Sequence, residues 1–217
     1  EAAHVLRTPL ASVLGYVDLL ARFGDDPDRR RETLFALQRT GRHSARLLED
    51  LLVLAQAEAG WHLKELRPVA IDDIFLEACE AAQLTARDIT IQIITCESAS
   101  VLGDPDRLRQ VFANLIDNAI KYSPPNGTVL LELWRENRMV RACVSNTGPG
   151  IPPEALPHIF EPFFRAPSGE RSGAGLGLVI ARWIAREHGG DIAVENFPGQ
   201  GVRAIFTLAE HVPASPH

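Results

Sequence analysis

The sequence predicts an α+β protein, in which an N-terminal helical hairpin is followed by an α/β sandwich. Apolar residues recur at helical spacing as far as Leu54, and the helical period then fails between Gly60 and Pro68. Beyond this break, short β-rich runs alternate with helical segments. These three observations divide the chain into residues 1–64, which form the hairpin, and residues 65–217, which form the sandwich.

Two amphipathic helices account for the hairpin. The first runs to about Arg22, and its apolar face consists of Leu6, Leu10, Val13, Leu14, Val17 and Leu20. The stretch Gly24 to Asp28 (GDDPD) supplies a helix stop, a turn and a new N-cap. The second helix carries the apolar residues Leu34, Leu37, Leu47, Leu48, Leu51, Leu52 and Leu54. Two helices cannot bury so wide a stripe alone, so we expect a homodimer with a four-helix bundle. The alternative is a hairpin that packs only against its own second domain.

Four strands and three helices are predicted in the sandwich. The strands are the β-branched, alternating runs Ile89 to Thr95, Thr128 to Trp134, Val140 to Ser145 and Val202 to Leu208. The helices cover about Asp72 to Leu84, Asp104 to Tyr122 and Leu176 to His188. Asp104 is the expected N-cap of its helix, and Pro105 is the expected first helical residue. We expect these helices to cover one face of the sheet.

The composition is that of a packed globular protein, with 46% hydrophobic and 23% charged residues among 217. The net charge of −6 provides no overall field for nucleic acid or an anionic membrane, so nucleic acid is not an expected partner. No apolar run approaches the ~20 residues that cross a bilayer. We therefore expect a cytoplasmic, soluble fragment that meets a membrane only through segments absent from this chain. The three widely spaced cysteines indicate buried, reduced thiols.

Polar residues cluster on one side of the predicted helix that ends near Tyr122. Asn114 and Asn118 are four residues apart, and Lys121 follows three residues after Asn118. This spacing brings two amide groups and an ammonium group to the same face. A hard cation such as Mg²⁺, which keeps most of its water and bridges phosphates, suits such a sparse set of oxygen ligands.

Two glycine-containing segments follow this helix. SNTGPGIP (Ser145 to Pro152) comes directly after a strand, and its glycines allow a ligand to approach the backbone closely. GAGLGL (Gly173 to Leu178) precedes a helix whose N-terminal amides can receive phosphate. Between them, Phe160, Phe163 and Phe164 precede a polar, glycine-containing stretch. We expect this region to be a mobile lid anchored by its aromatic residues, with Arg165 or Arg171 near phosphate; the alternative is a loop that the aromatics merely pin in place.

These motifs, in this order, resemble the catalytic core of sensor histidine kinases, within the GHKL ATPase superfamily that also holds gyrase, Hsp90 and MutL. The family's phosphoacceptor box is similar to HVLRTPL (His4 to Leu10) and its asparagine box to NLIDNAIKYSP. Its first glycine box is similar to SNTGPGIP, its phenylalanine box to IFEPFFR and its second glycine box to GAGLGL. The resemblance covers nearly the entire chain.

The resemblance implies a role for each matching position. His4 would accept phosphate, and Thr8 matches the family position implicated in orienting water for dephosphorylation of a partner. Asn114 and Asn118 would hold Mg²⁺. The implied ATP-binding set is completed by Lys121, Tyr122, Asn146, Gly148, Gly150, Arg165, Gly173, Gly175, Leu176 and Gly177, with Lys121 at phosphate and Tyr122 against the adenine.

The chain departs from the family pattern at Asn146, where relatives usually have aspartate. An asparagine carbonyl can still accept a hydrogen bond from the adenine amino group, but without the charge that strengthens it. We therefore expect ATP binding to be weakened or retuned and not lost.

The second departure is Val5, because a Glu or Asp usually follows the phosphoacceptor histidine and can accept its Nδ1 proton. Three explanations remain open. Water or a group from the catalytic domain could act as the base, or Glu1 could substitute from one turn away. Alternatively, the kinase step is poor and a phosphatase or partner-binding role dominates.

We therefore expect the core of a two-component sensor histidine kinase, which phosphorylates itself on His4 with ATP and passes the phosphate to an aspartate of a response regulator. The alternatives are a phosphatase-biased enzyme and a nucleotide-responsive scaffold that binds a response regulator without catalysis. A GHKL ATPase of another kind would leave the helical hairpin unexplained.

Overall fold

A computed structural model describes residues 2–23, 26–60, 62–63, 65–86, 88–165, 174–197 and 201–212, and for residues 2–9 and 43 it describes the backbone alone. The chain divides into two compact units, Glu1–Trp61 and His62–His217. The predicted fold class is confirmed, because helices form the first unit and a mixed sheet with helices forms the second. None of the described helices has the length and apolar character of a membrane span.

The first unit is a helical hairpin made of α1 (Ala2–Phe23) and α2 (Pro27–Glu58), which pack against each other. Asp26 is the N-cap of α2, since its Oδ1 accepts hydrogen bonds from the backbone N–H groups of Asp28 (3.0 Å) and Arg29 (3.3 Å). Pro27 follows at the first helical position, where its missing N–H costs nothing. Local capping by Asp26 therefore explains why one helix ends and the next begins at this turn, as predicted.

The hairpin leaves many large apolar side chains exposed. On α1 and α2 these are Leu10, Leu14, Val17, Leu19, Phe23, Leu34, Phe35, Leu48 and Leu52. Leu14 is 67% exposed and Leu52 is 60% exposed. Apolar surface of this extent is unusual on a monomeric soluble unit.

The second unit contains three helices, seven strands and one short 3₁₀ turn within its described residues. In chain order these are β1 (Arg67–Ala70), α3 (Ile71–Thr85), β2 (Thr90–Cys96), β3 (Ser100–Gly103), α4 (Pro105–Tyr122), β4 (Thr128–Glu136), β5 (Met139–Asn146), the 3₁₀ turn (Leu156–His158), α5 (Gly177–Glu187), β6 (Asp191–Phe197) and β7 (Gly201–Ala209).

Five strands form the main sheet, in the order β2-β4-β5-β7-β6. The pair β2 and β4 is parallel, and the other neighbours are antiparallel. The short strands β1 and β3 form a separate antiparallel pair. The last strand in the described chain, β7, therefore lies inside the sheet between β5 and β6.

The core lies between one face of this sheet and the helices. Along β4, Val129, Leu131 and Leu133 are fully buried and alternate with partly exposed residues, as expected when one face of a strand is covered. Phe112 of α4 packs edge-to-face against Phe206 of β7, with ring centroids 5.7 Å apart. These contacts establish the predicted two-layer sandwich.

The four predicted strands and three predicted helices are all present, with ends shifted by at most two residues. Three strands were not predicted. β1 and β3 have only four residues each, and β6 is interrupted by polar residues that have low β-propensity. The cysteines are free, with Cys79 and Cys143 buried and Cys96 partly exposed.

Candidate functional site

A pocket opens on the second unit where α4, the end of β5 and the following loop meet. Its walls are largely apolar and include Leu115, Ala119, Val144, Ile151, Val194 and Val202. Asn118, Tyr122 and Asn146 add polar groups to this lining, as do the glycines of the loop. A concave apolar site with a few placed polar groups is the usual form of a small-molecule site.

Helix α4 positions the polar side of the site. Its N-terminus is fixed by Asp104, whose Oδ1 accepts hydrogen bonds from the N–H groups of Asp106 (2.9 Å) and Arg107 (3.2 Å). One face of the helix is fully buried in the core. Asn114 and Asn118 lie at the edge of that face and are partly buried. The helical spacing thus presents both amides along one side of α4, as the sequence predicts.

The start of α5 faces these two asparagines. A Cβ added to Gly177 would lie 3.6 Å from both Asn114 Cγ and Asn118 Nδ2. Leu176, the N-cap residue of α5, is buried and offers no side-chain acceptor for the first N–H groups of the helix. A helix N-terminus without a side-chain cap leaves donors that suit an anion. The structure therefore brings Asn114, Asn118, Leu176 and Gly177 together.

The residues present fit a magnesium ion that arrives with phosphate. The amide oxygens of Asn114 and Asn118 are the hard ligands that Mg²⁺ prefers, but they are too few to hold the ion without phosphate oxygens and water. Among the described side chains, no cluster of three or more His, Cys, Asp or Glu could hold a metal ion. The Nδ2 of Asn114 is buried without a hydrogen-bond partner, and a phosphate oxygen or water could accept from it.

Asn146, at the end of β5, supplies a directed polar group inside the pocket. The residue is 6% exposed, and its Nδ2 donates a hydrogen bond of 3.0 Å to the carbonyl oxygen of Thr147. Because a carbonyl only accepts, this bond fixes the orientation of the amide and leaves Oδ1 as the remaining acceptor. A flat ring with an amino group would find apolar walls and one acceptor here.

The loop after β5 approaches the pocket closely. A Cβ on Gly148 would lie 3.0 Å from the carbonyl oxygen of Tyr122 and 3.3 Å from Asn146 Nδ2. Gly150 has φ of +81°, a conformation that glycine adopts without strain. Asn196, which makes hydrogen bonds to the backbone of Ile151 in this loop, was not predicted as a site residue. No motif in the neighbouring sequence could have identified it.

The aromatic segment is joined to the second glycine segment. The N–H of Phe163 donates a hydrogen bond of 3.2 Å to the carbonyl oxygen of Gly175, and Phe163 itself has φ of +66°. A Cβ on Gly175 would lie 2.6 Å from the carbonyl oxygen of Phe164. The ring of Phe160 lies 4.2 Å from the guanidinium carbon of Arg182 on α5. These contacts tie the aromatic segment to the region around α5.

The structure places only some of the other predicted site residues. Lys121 is partly buried, and its Nζ lies 4.8 Å from the ring centroid of Tyr122. Arg165 lines the pocket. Gly173 and Arg171 lie outside the described residues. His4 and Thr8 lie one turn apart on α1, and their side chains also lie outside what is described.

A two-layer sandwich with an Asn-bearing helix, a glycine loop and an uncapped helix around one pocket is the arrangement that the resemblance to the GHKL class implies. Residues 103–212 match the family described as histidine kinase-, DNA gyrase B-, and HSP90-like ATPase, and residues 1–60 match the His Kinase A (phospho-acceptor) domain. The chain belongs to the sensor histidine kinases of two-component systems.

Similar proteins include the circadian input-output histidine kinase CikA of Synechococcus elongatus (36% identity over 95% of this chain) and the sensor protein DivL of Caulobacter vibrioides (35% over 98%). The chain spans 28% and 27% of the lengths of these relatives. Among solved structures, full-length ShkA in complex with AMPPNP superposes with a TM-score of 0.73 at 32% identity, over 99% of this chain and 46% of that one. The mycobacterial sensor histidine kinase MprB gives 0.63 at 30%, over 67% and 99%.

Proposed function

We propose that this chain is the catalytic core of a sensor histidine kinase, which binds Mg-ATP, phosphorylates His4 and passes the phosphate to an aspartate of a response regulator receiver domain. In this proposal, residues 1–64 are the dimerisation and phosphotransfer hairpin, and residues 65–217 are the catalytic domain. The main support for this proposal is that Asn114 and Asn118 lie against the start of α5. They lie beside an apolar pocket that Asn146 also lines.

The adenine would lie between the apolar walls of the pocket. Asn146 Oδ1 would accept a hydrogen bond from its amino group, since Nδ2 is already engaged by Thr147. Tyr122 would cover the ring from the end of α4, where it is 36% exposed. This recognition uses a neutral acceptor, so it is weaker than the bond that a carboxylate would make.

The phosphates would lie between α4 and α5. The first N–H groups of α5 would donate to them, and Lys121 and Arg165 would add positive charge. Asn114 and Asn118 would hold Mg²⁺, which would neutralise phosphate charge when bound. Gly148, Gly150, Gly175 and Gly177 would keep the backbone close to the nucleotide.

His4 would attack the γ-phosphorus of ATP through Nε2, so that an N–P bond forms and the bond to the ADP oxygen breaks. Neutral imidazole is abundant near pH 7, and a base is needed only to hold and finally take the Nδ1 proton. Val5 cannot do this, so water or another group would serve, at a lower rate.

The exposed apolar face of the hairpin supports a homodimer as the working form. A second copy of the same hairpin would complete a four-helix bundle and cover these side chains. A response regulator would then dock on the bundle near His4.

A specific observation favours a second candidate function. Val5 removes a base from the autokinase step but not from a dephosphorylation step, in which Thr8 would orient the attacking water. A phosphatase-biased enzyme, or a scaffold that binds a response regulator under nucleotide control, would therefore tolerate Val5.

Incubation of the chain with radiolabelled Mg-ATP tests the proposal. We expect a phosphoprotein that is stable in base and labile in acid, and that is absent in His4→Ala and Asn118→Ala. His211→Ala is the matched control, because this histidine lies outside the pocket and its described hydrogen bond runs from its backbone N–H to Ser100. Normal ATP binding without label would favour the scaffold, and release of phosphate from a phosphorylated receiver domain would favour the phosphatase. Absence of ATP binding would rule out the proposal.

A further inference from the structure

A single asparagine on β6 holds the glycine loop through two hydrogen bonds. The backbone N–H of Ile151 donates to Asn196 Oδ1 at 2.7 Å. In return, Asn196 Nδ2 donates to the carbonyl oxygen of Ile151 at 2.8 Å. Both polar groups of the Ile151 backbone are thus satisfied by one side chain, although the two residues are 45 positions apart in the sequence.

The same asparagine lies directly against Gly150. A Cβ on Gly150 would lie 3.0 Å from Asn196 Oδ1, and this glycine has φ of +81°. An L-residue side chain would be strained in this conformation and would crowd the asparagine amide. The missing side chain of Gly150 is therefore what lets Asn196 reach the next residue.

The backbone also packs closely at the other end of the loop. Gly201, the first residue of β7, has φ of +114°, and a Cβ there would collide with the carbonyl oxygen of Asn146 and lie 2.7 Å from the nitrogen of Gly148. The end of the β6–β7 pair therefore contacts the loop at two places. Gly201 lies against the start of the loop, and Asn196 binds the end of the loop. Residues 147–150 of the loop lie outside helices and strands.

We propose that Asn196 is a positioning residue of the nucleotide pocket, which fixes the Gly148 to Pro152 loop in its binding conformation before ATP arrives. This inference rests on the proposed function, in which the pocket binds ATP. Gly148, Gly150, Ile151 and Pro152 line the pocket, whereas Asn196 is absent from its described lining and acts through the loop. A loop that is ordered in advance does not lose conformational entropy when the ligand binds, and affinity rises accordingly.

Three substitutions separate the two hydrogen bonds. Asn196→Ala removes both. Asn196→Asp keeps an acceptor for the Ile151 N–H but places an oxygen where Nδ2 now donates, so it faces the Ile151 carbonyl. Asn196→Ser keeps one hydroxyl, which can make a single bond. We expect the dissociation constant for Mg-ATP to rise roughly 10- to 30-fold in the alanine and aspartate variants and less in the serine variant.

The matched control is Glu195→Gln. Glu195 is the preceding residue on β6, so its side chain points to the opposite face of the sheet, where it pairs with Arg203. This variant perturbs the same strand without touching the glycine loop. We expect its affinity for Mg-ATP to match that of the unmodified chain.

The experiment combines titration calorimetry of Mg-ATP into each folded variant with hydrogen exchange at the Ile151 amide. We expect faster exchange at Ile151 in Asn196→Ala, unchanged exchange in β5 and β7, and partial recovery of affinity in the serine variant. A residue with only a general stabilising role would lower thermal stability without this selective loss of affinity.

Three outcomes have distinct meanings. If the unmodified chain binds Mg-ATP and Asn196→Ala binds it equally well, the positioning role is overturned while the proposed function stands. If the unmodified chain binds no Mg-ATP, the proposed function fails and the positioning role fails with it. Equal affinity losses in the Glu195→Gln control would also overturn the inference, because the effect would then belong to the strand as a whole.

Discussion

The Nε2 of His188 accepts a hydrogen bond of 3.0 Å from the backbone N–H of Asp104, the N-cap residue of α4. Its Nδ1 donates to the carbonyl oxygen of Ile184 at 2.7 Å, so the ring is held as the neutral Nδ1–H tautomer. This histidine therefore joins the C-terminal end of α5 to the N-terminal end of α4. The opposite ends of the same two helices carry the proposed phosphate site.

The stability of the second unit should depend on the protonation of His188. Burial lowers the pKa of His188 in the folded state, although Asp104 and Glu187 act in the other direction. A lowered folded-state pKa means that the unfolded chain binds the proton more readily. The contribution of His188 is therefore complete above its ordinary pKa of 6.5 and is lost as the pH falls below that value.

We expect His188→Gln to reduce the free energy of unfolding by about 1–2 kcal/mol at pH 7.5 and to flatten its dependence on pH between 7.5 and 5.5. Urea unfolding at several pH values measures both effects. His211→Gln, which removes a partly exposed histidine, serves as the control. An unchanged pH slope in His188→Gln would contradict this account.

Replacement of Gly175 by alanine should destabilise the second unit and weaken nucleotide binding. Gly175 has φ of +73°, and an added Cβ would lie 2.6 Å from the carbonyl oxygen of Phe164. The conformational strain and this contact together should cost about 1–3 kcal/mol. Thermal unfolding and Mg-ATP titration provide the measurement.

Gly15→Ala is the matched control for the glycine substitution. Gly15 lies within α1, and nothing is within 4 Å of its added Cβ. Because alanine favours helix over glycine, this change should stabilise the chain by up to about 1 kcal/mol. Similar destabilisation by both alanines would show that the contact with the aromatic segment is unimportant.

The substitution Val5→Glu should accelerate autophosphorylation on His4. A carboxylate next to the histidine can accept the Nδ1 proton, and general-base assistance of this kind should raise the initial rate of labelling about tenfold or more. Val5→Gln is the control, since it is similar in size and polar but is not a base. If both variants label at the unmodified rate, a missing base does not limit the reaction.

The exposed apolar residues of the hairpin predict a dimer, and one charge introduced among them should disrupt it. Leu14 is 67% exposed within one chain, so Leu14→Glu should leave the helix intact while placing a charge in the proposed four-helix bundle. Sedimentation should show a shift from dimer towards monomer. Leu84→Glu, at an 88% exposed position on the second unit, should have no effect; a dimer that survives Leu14→Glu would place the interface elsewhere.

Local signals in the sequence predicted much of the fold. The pair Asp104 and Pro105 marked the start of α4, and the GDDPD stretch marked that of α2, because both signals depend on neighbouring residues. The polar face of α4 was likewise readable from helical spacing. β6 was not predicted, because its Asp, Glu and Asn residues obscure the alternation of buried and exposed positions along the strand.

The contacts that complete the site could not be predicted in the same way. Asn196 meets Ile151, and His188 meets Asp104, only after distant segments have packed. The two pairs are 45 and 84 positions apart in the sequence, so no local periodicity links their members. Such residues are identified by three-dimensional contact alone.

The position of β7 has a consequence for biosynthesis. Because this strand is inserted between β5 and β6, the ribosome releases both of its neighbours before it can complete the sheet. Until then β5 exposes an unpaired edge, and Gly201 cannot yet support the glycine loop. A nascent chain that stops before Gly201 should therefore aggregate readily and need chaperone protection. A premature stop codon at this point should yield a protein without a functional nucleotide pocket.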